Sequence, residues 1–199
     1  MIPRRAEPVL VWAAAAAIAA VVGWFSLSHM RLAPAFPWQA FPDELWLDGF
    51  SRWDSFWYRS IADGGYGFTL GDQSNYAFFP GYPIAMWALG TIVRDFDLGG
   101  ILSSSAFAIG SLYLFRAWIE EIAPDSASIG GVVALALGPS AFYLAGVAYS
   151  ESLFLISALA AFLLLERGRP LAASLVAIPA LVTRPVGIAL VVALLLRSV

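Results

Sequence analysis

Carboxylates, arginines and aromatic rings crowd together in one stretch of this chain, from Trp46 to Gly67. At about 100° per residue the stretch reads as one amphipathic helix. Phe50, Trp53, Trp57 and Ile61 fall on one side, Ser51, Arg52, Ser55 and Arg59 on the other, and Gly64, Gly65 and Gly67 end it. Such a helix lies in a membrane interface with its indoles at headgroup level. Asp54 falls near the edge of the apolar side, with Tyr58 one turn further on. A carboxylate aimed at lipid or protein interior is costly unless it is paired or used. Asp54 is therefore either a catalytic carboxylate held at the membrane surface or an exposed side chain reaching water. Two more charges stand between apolar runs: Glu151, in Tyr149-Ser150-Glu151-Ser152, and Arg184, in Thr183-Arg184-Pro185. Charges so placed serve function or form an ion pair closing a helix bundle. Arg116, near a helix end, reads as a side chain that snorkels.

The elements that must position these residues are membrane helices. The 199 residues are 60% hydrophobic and 13% charged, with a mean hydropathy of +0.78. That excludes a soluble globular domain and indicates an all-α, polytopic membrane protein. A net charge of −3 supplies no basic surface for nucleic acid. The absence of cysteine excludes disulfides and thiolate metal sites, and the single histidine, His29, placed at the interface, excludes a histidine metal cluster. The run from Val9 to Ser28 is long enough to span a bilayer. It follows Arg4 and Arg5, which place the N-terminus in the cytoplasm. Residues 29–75 then form an extracytoplasmic loop, extended at first by Pro34, Pro37 and Pro42, that carries the interfacial helix. Further apolar runs cover 77–93, 98–118, 127–149, 152–165, 171–182 and 186–196.

Arg167 and Arg169 mark an internal cytoplasmic loop, and Arg197 is a weaker cytoplasmic marker at the end. An even number of crossings must separate Arg5 from Arg167, whereas five candidate runs lie between them. We expect 77–93 to be the one that does not cross, because Tyr76-Ala77-Phe78-Phe79-Pro80-Gly81-Tyr82-Pro83 reads as a bent, non-helical lead-in. Asp54, Glu151 and Arg184 then all arrive at the outer membrane face. The whole of 1–199 reads as a single transmembrane domain.

At this point the residues resemble a known family. Trp53-Asp54, Ile61-Ala62, Gly65-Tyr66, Ala77-Phe78-Phe79-Pro80-Gly81-Tyr82-Pro83, Tyr149-Ser150-Glu151-Ser152-Leu153-Phe154 and Thr183-Arg184-Pro185-Val186-Gly187 occur in the order seen in PIG-V-type mannosyltransferases. These are the GPI mannosyltransferase 2 family and its bacterial relatives, within the GT-C glycosyltransferases. The resemblance implies a multi-pass enzyme of the bacterial plasma membrane that takes mannose from a polyprenyl-phosphate carrier on the extracytoplasmic side. It implies a lipid or glycan acceptor and contact with membrane lipids. Asp54 matches the family's catalytic carboxylate in the first outer loop, Glu151 its Tyr-Ser-Glu motif and Arg184 its later arginine. GT-C enzymes are considerably longer, so the chain is expected to be the N-terminal part of such a module.

On that resemblance each charge takes a role. Asp54 accepts the proton of the acceptor hydroxyl. Arg184 stabilises the leaving phosphate. Glu151 supports a cationic, oxocarbenium-like transition state, orients Arg184 or the acceptor, or helps to hold a divalent cation. One base and a good leaving group imply single displacement with inversion. Tyr58, Tyr66, Tyr82 and Tyr149 are expected to join Arg184 in binding substrate, and Trp53, Trp57 and Phe79 to border the lipid tail. Each aromatic taken alone also fits a membrane anchor or core residue. Two other classes compete with an enzyme: a small transporter using Glu151 and Arg184 as a coupled pair, and a non-catalytic membrane subunit.

Overall fold

The computed structural model describes residues 6–30, 38–123, 129–138 and 141–198. Arg4, Arg5, Pro34 and Pro37, used above for orientation and loop shape, lie outside the described residues. Among the described residues all regular structure is helical. Helix α1 (Glu7–His29) and helix α5 (Phe96–Ile122) are long and apolar enough to cross a membrane. Between them lie α2 (Leu45–Asp48), α3 (Ser55–Gly64) and α4 (Gly81–Val93); after them come α6 (Ile129–Leu137), α7 (Ala141–Leu144), α8 (Glu151–Glu166), α9 (Pro170–Leu181) and α10 (Gly187–Ser198).

The long helices have two distinct ends. At one, which we call basal, Arg116 pairs with Glu7 at 2.7 Å and Glu120 at 3.1 Å, Arg167 with Glu121 at 2.6 Å, and Arg197 with Glu166 at 2.8 Å. These pairs join α1, α5, α8 and α10. Arg116 thus spends its charge on two carboxylates rather than on solvent alone. At the other end the loops bring the Asp54, Glu151 and Arg184 segments together. α8 packs against both α5 and α9, and α10 closes on α9 and α8.

Helix α4 stays at the second end. Its 13 residues extend about 20 Å, short of the roughly 30 Å of a hydrocarbon core. It runs alongside only the first part of α5, from Tyr82 at the level of Ser104 to the turn at Arg94. The lead-in is more regular than the sequence suggests. Pro80 caps α4 and Pro83 lies in its first turn, where a helix has no use for the missing N–H. Asp95 caps α5 by accepting the Leu98 N–H at 3.0 Å. The α4–α5 seam is tight, since a Cβ on Gly99 would strike the backbone of Gly90. Gly99→Ala is therefore expected to cost about 1–3 kcal/mol, read as a lower unfolding temperature in detergent. An unchanged unfolding temperature would mean that the seam has slack.

The run 127–149 is interrupted rather than continuous. α6 stops at Leu137, and Gly146 has a φ of +108° that turns the chain into the buried segment Val147–Ser150. The polar stretch 46–67 is also two helices and not one. After α2 the chain turns through Gly49–Asp54 before α3 begins. Gly49 sits against Gly23 of α1, where a Cβ would lie 3.1 Å from the Gly23 Cα. The expected faces are redistributed as a result. Ser51, Arg52 and Ser55, expected on the polar side, are buried, while Trp53 keeps an outward position at 61% exposure.

Candidate active site

Asp54 sits at the end of a turn stitched to the segment before α8. The Ala148 N–H donates to Phe50 O at 2.8 Å, Ser55 Oγ donates to Ala148 O at 3.0 Å, and the Asp54 N–H donates to the Tyr149 hydroxyl at 3.1 Å. These bonds hold Trp53 at a φ of +49°, a left-handed conformation that costs a bulky L-residue about 1–2 kcal/mol. Small hydroxyls make the buried contact possible, because each finds a backbone carbonyl or a carboxylate in place of water.

Glu151 is the first residue of α8, and Arg184 lies in the break between α9 and α10, where Pro185 prevents one continuous helix. Arg184 Nη1 is 2.5 Å from Glu151 Oε1. The second oxygen, Glu151 Oε2, is shielded from solvent and has no hydrogen-bond partner among the described residues. Asp54 feels the same guanidinium. Partial burial lifts the Asp54 carboxyl above its usual range, and the Arg184 charge pulls it back. Burial pushes the Tyr58 hydroxyl up to about 12, against the hydrogen bond it donates to Ser150 Oγ at 3.0 Å. Tyr149 shifts upward for the same reason, opposed by its bond from the Asp54 N–H. Both phenols thus remain protonated donors at neutral pH. A cation paired with one carboxylate and within electrostatic reach of a second, beside two protonated phenols, is a site that can bind an anion and accept a proton.

Arg184 already occupies the space by Glu151, and among the described residues no group of three His, Cys, Asp or Glu side chains stands close enough to hold a metal ion.

Residues 25–197, which include Asp54, Glu151 and Arg184, match the family described as Mannosyltransferase (PIG-V). The chain belongs to that family. It is similar to GPI alpha-1,6-mannosyltransferase 2 from Cricetulus griseus, 32% identical over 141 residues, 65% of this chain and 27% of that protein. The Rattus norvegicus protein of the same name is 31% identical over 163 residues, 75% of this chain and 32% of its own length. The Homo sapiens protein is 31% identical over 160 residues, 72% and 30% respectively. The chain therefore spans less than a third of the length of these relatives. No solved structure matches it.

In this PIG-V family chain the tyrosines divide. Tyr58 and Tyr149 border Asp54 and Glu151. Tyr82 is fully buried, donates to Gly100 O at 2.9 Å, lies 2.8 Å from Ser104 Oγ and packs edge-on against Tyr58 at 5.0 Å. It braces Tyr58 from behind and has no surface for a substrate. Tyr66 has its contacts elsewhere, donating to Phe78 O at 2.7 Å and stacking on Tyr76. Trp57 stacks on Phe78. Two supporting groups escape a reading by helical faces. Buried Asp48 pairs with Arg52 at 3.0 Å and accepts the Ala40 and Phe41 N–H groups. Asp97 accepts from Ser51 Oγ at 2.8 Å and lies 3.6 Å from Arg59. The i,i+4 spacing of Asp48 and Arg52 is the sequence signal for the first pair; the second joins residues 46 apart and leaves none.

Proposed function

We propose that this site transfers mannose from a polyprenyl-phosphate carrier to an extracytoplasmic acceptor, with inversion, in a multi-pass protein of the bacterial plasma membrane. The observation that supports it is the meeting of Asp54, Glu151 and Arg184 at one end of the bundle. Asp54 takes the proton of the acceptor hydroxyl as its oxygen bonds to the anomeric carbon. The bond from that carbon to the carrier phosphate breaks on the opposite face, and the phosphate leaves with the electron pair. Arg184 neutralises the charge that develops there, since a planar guanidinium matches phosphate oxygens. Glu151 holds Arg184 in place until the phosphate competes for it. The arginines of the opposite, basal end favour a cytoplasmic position for that end, which turns the site outward.

Reconstituted full-length protein tests the reaction. Radiolabel is expected to pass to an acceptor from polyprenyl-phosphate mannose and not from a nucleotide-linked mannose; the reverse preference would reject the carrier. Cysteines test the side, because the chain has none of its own. Gln73→Cys is expected to react with an impermeant thiol reagent in intact cells, and Arg169→Cys only after permeabilisation. Labelling of Arg169→Cys alone in intact cells would invert the topology.

A further inference from the structure

The residue beside Asp54 carries an observation that the reaction above does not use. Trp53 is bulky, has a left-handed φ of +49°, and nevertheless turns its side chain outward, with 61% of its surface exposed. So exposed a residue has little packing of its own to sustain such a conformation. Here the surrounding bonds sustain it: Phe50 O, Asp54 N–H and Ser55 Oγ are all tied to Ala148 or Tyr149. A glycine would occupy that φ without strain, and an asparagine with little. The ring is also steadied from one side, with Phe142 meeting it edge-on at a centroid distance of 6.1 Å. The indole is thus a fixed, open aromatic surface next to the carboxylate that receives the acceptor's proton. Strain of this kind, over-determined by its neighbours, points to a function for the side chain it displays.

The negative face of an indole attracts groups with polarised hydrogens. A pyranose has such a face, where several C–H bonds point the same way, and its hydroxyls project at the ring's edge. A sugar stacked on Trp53 would present an edge hydroxyl to the adjoining residue. We propose that Trp53 is the platform for the acceptor sugar: its indole takes the apolar face of a pyranose ring and turns a hydroxyl of that ring towards Asp54. The proposal rests on the mannosyl-transfer reading for the role of Asp54. It assigns Trp53 a substrate contact, in contrast to a membrane anchor at headgroup depth.

Two measurements test it on the full-length protein in lipid nanodiscs. In the first, methyl α-mannopyranoside is titrated and saturation transfer from protein to the sugar's ring protons is recorded by NMR. Wild type and Trp53→Phe are expected to saturate the C–H protons of one ring face, and Trp53→Gly to abolish the effect. In the second, transfer is followed to octyl α-mannopyranoside as acceptor. Trp53→Gly is expected to raise the acceptor KM about tenfold or more, a larger factor than any change in the KM for polyprenyl-phosphate mannose. The same variant relieves the backbone and is expected to unfold at a higher temperature, so loss of fold cannot account for the result. Saturation transfer that persists in Trp53→Gly, or an unchanged acceptor KM, would overturn the platform. Saturation transfer lost in Trp53→Gly, in a protein that transfers no mannose from the carrier, would retain the platform and reject the reaction.

Discussion

Asp54→Asn is expected to lower mannosyl transfer by about 100-fold or more while the protein folds and inserts as before. The substitution is nearly isosteric and removes the negative charge and, with it, the capacity to take a proton. The turn does not depend on that capacity. Its bonds run through the Asp54 main-chain N–H, Phe50 O and Ser55 Oγ, none of which changes. Trp53 accordingly keeps its place, and the acceptor KM is expected to stay near that of wild type while kcat falls. Unfolding temperature and acceptor titration check the first expectation, and turnover with polyprenyl-phosphate mannose the second. A well-folded Asp54→Asn protein with wild-type turnover would remove Asp54 from the reaction.

Arg184→Ala is expected to have the other large effect, a loss on the order of 100- to 1,000-fold in transfer, because the group proposed to offset charge on the leaving phosphate would be gone. Arg184→Lys keeps the charge without the planar fork and is expected to fall between, at about tenfold below wild type. Stability suffers too, since Glu151 already has one oxygen without a partner among the described residues and would lose the cation on the other. The penalty is smaller than for a fully buried pair, as 36% of the Arg184 side chain is exposed. The pair of changes Arg184→Ala and Glu151→Gln separates the two consequences: unfolding temperature recovers and transfer does not. The pH profile supplies an independent sign. On the proposed reaction transfer needs ionised Asp54, so the rate is expected to fall as pH drops through its pKa. Burial raises that pKa and Arg184 lowers it. Without Arg184 the residual activity should therefore lose its acid limb at a higher pH than wild type. An unchanged acid limb, with unchanged affinity for the polyprenyl-phosphate sugar, would place the phosphate away from Arg184.

The apolar runs mapped well onto helices where length and composition decide the matter. Val9–Ser28 became Glu7–His29, and the three C-terminal runs became α8, α9 and α10 within one or two residues at most ends. The breaks between them were legible for the same reason: Glu151 and Pro185 interrupt apolar periodicity, and the structure puts them at helix boundaries. The stretch 46–67 was not legible in this way. Helical periodicity assumes that polar residues seek water, yet Ser51 and Ser55 go inward because Asp97 and Ala148 O lie close by in the fold. Those partners are 46 and 93 residues away, and no local pattern announces them. Trp53 is a different case. Helical periodicity put its indole on the outward, apolar side, and it is outward, but three tertiary bonds bear on its left-handed backbone, which no helical pattern announces. Gly138 and Gly146 likewise divide a run that composition alone makes continuous, and Pro83 is tolerated because it falls in the first turn of α4.

The stitching between residues 50–55 and 148–149 bears on how the protein meets bilayers of different thickness. An amphipathic helix that merely floats in the interface rises and sinks with the headgroups, and any carboxylate on it moves relative to the helices that cross. Here three hydrogen bonds lock the Asp54 turn to the chain entering α8, whose first residue holds Arg184. Hydrophobic mismatch is then taken up by tilting the bundle or deforming the lipid around it. The separation between Asp54 and Arg184 belongs to the protein and does not change with acyl-chain length.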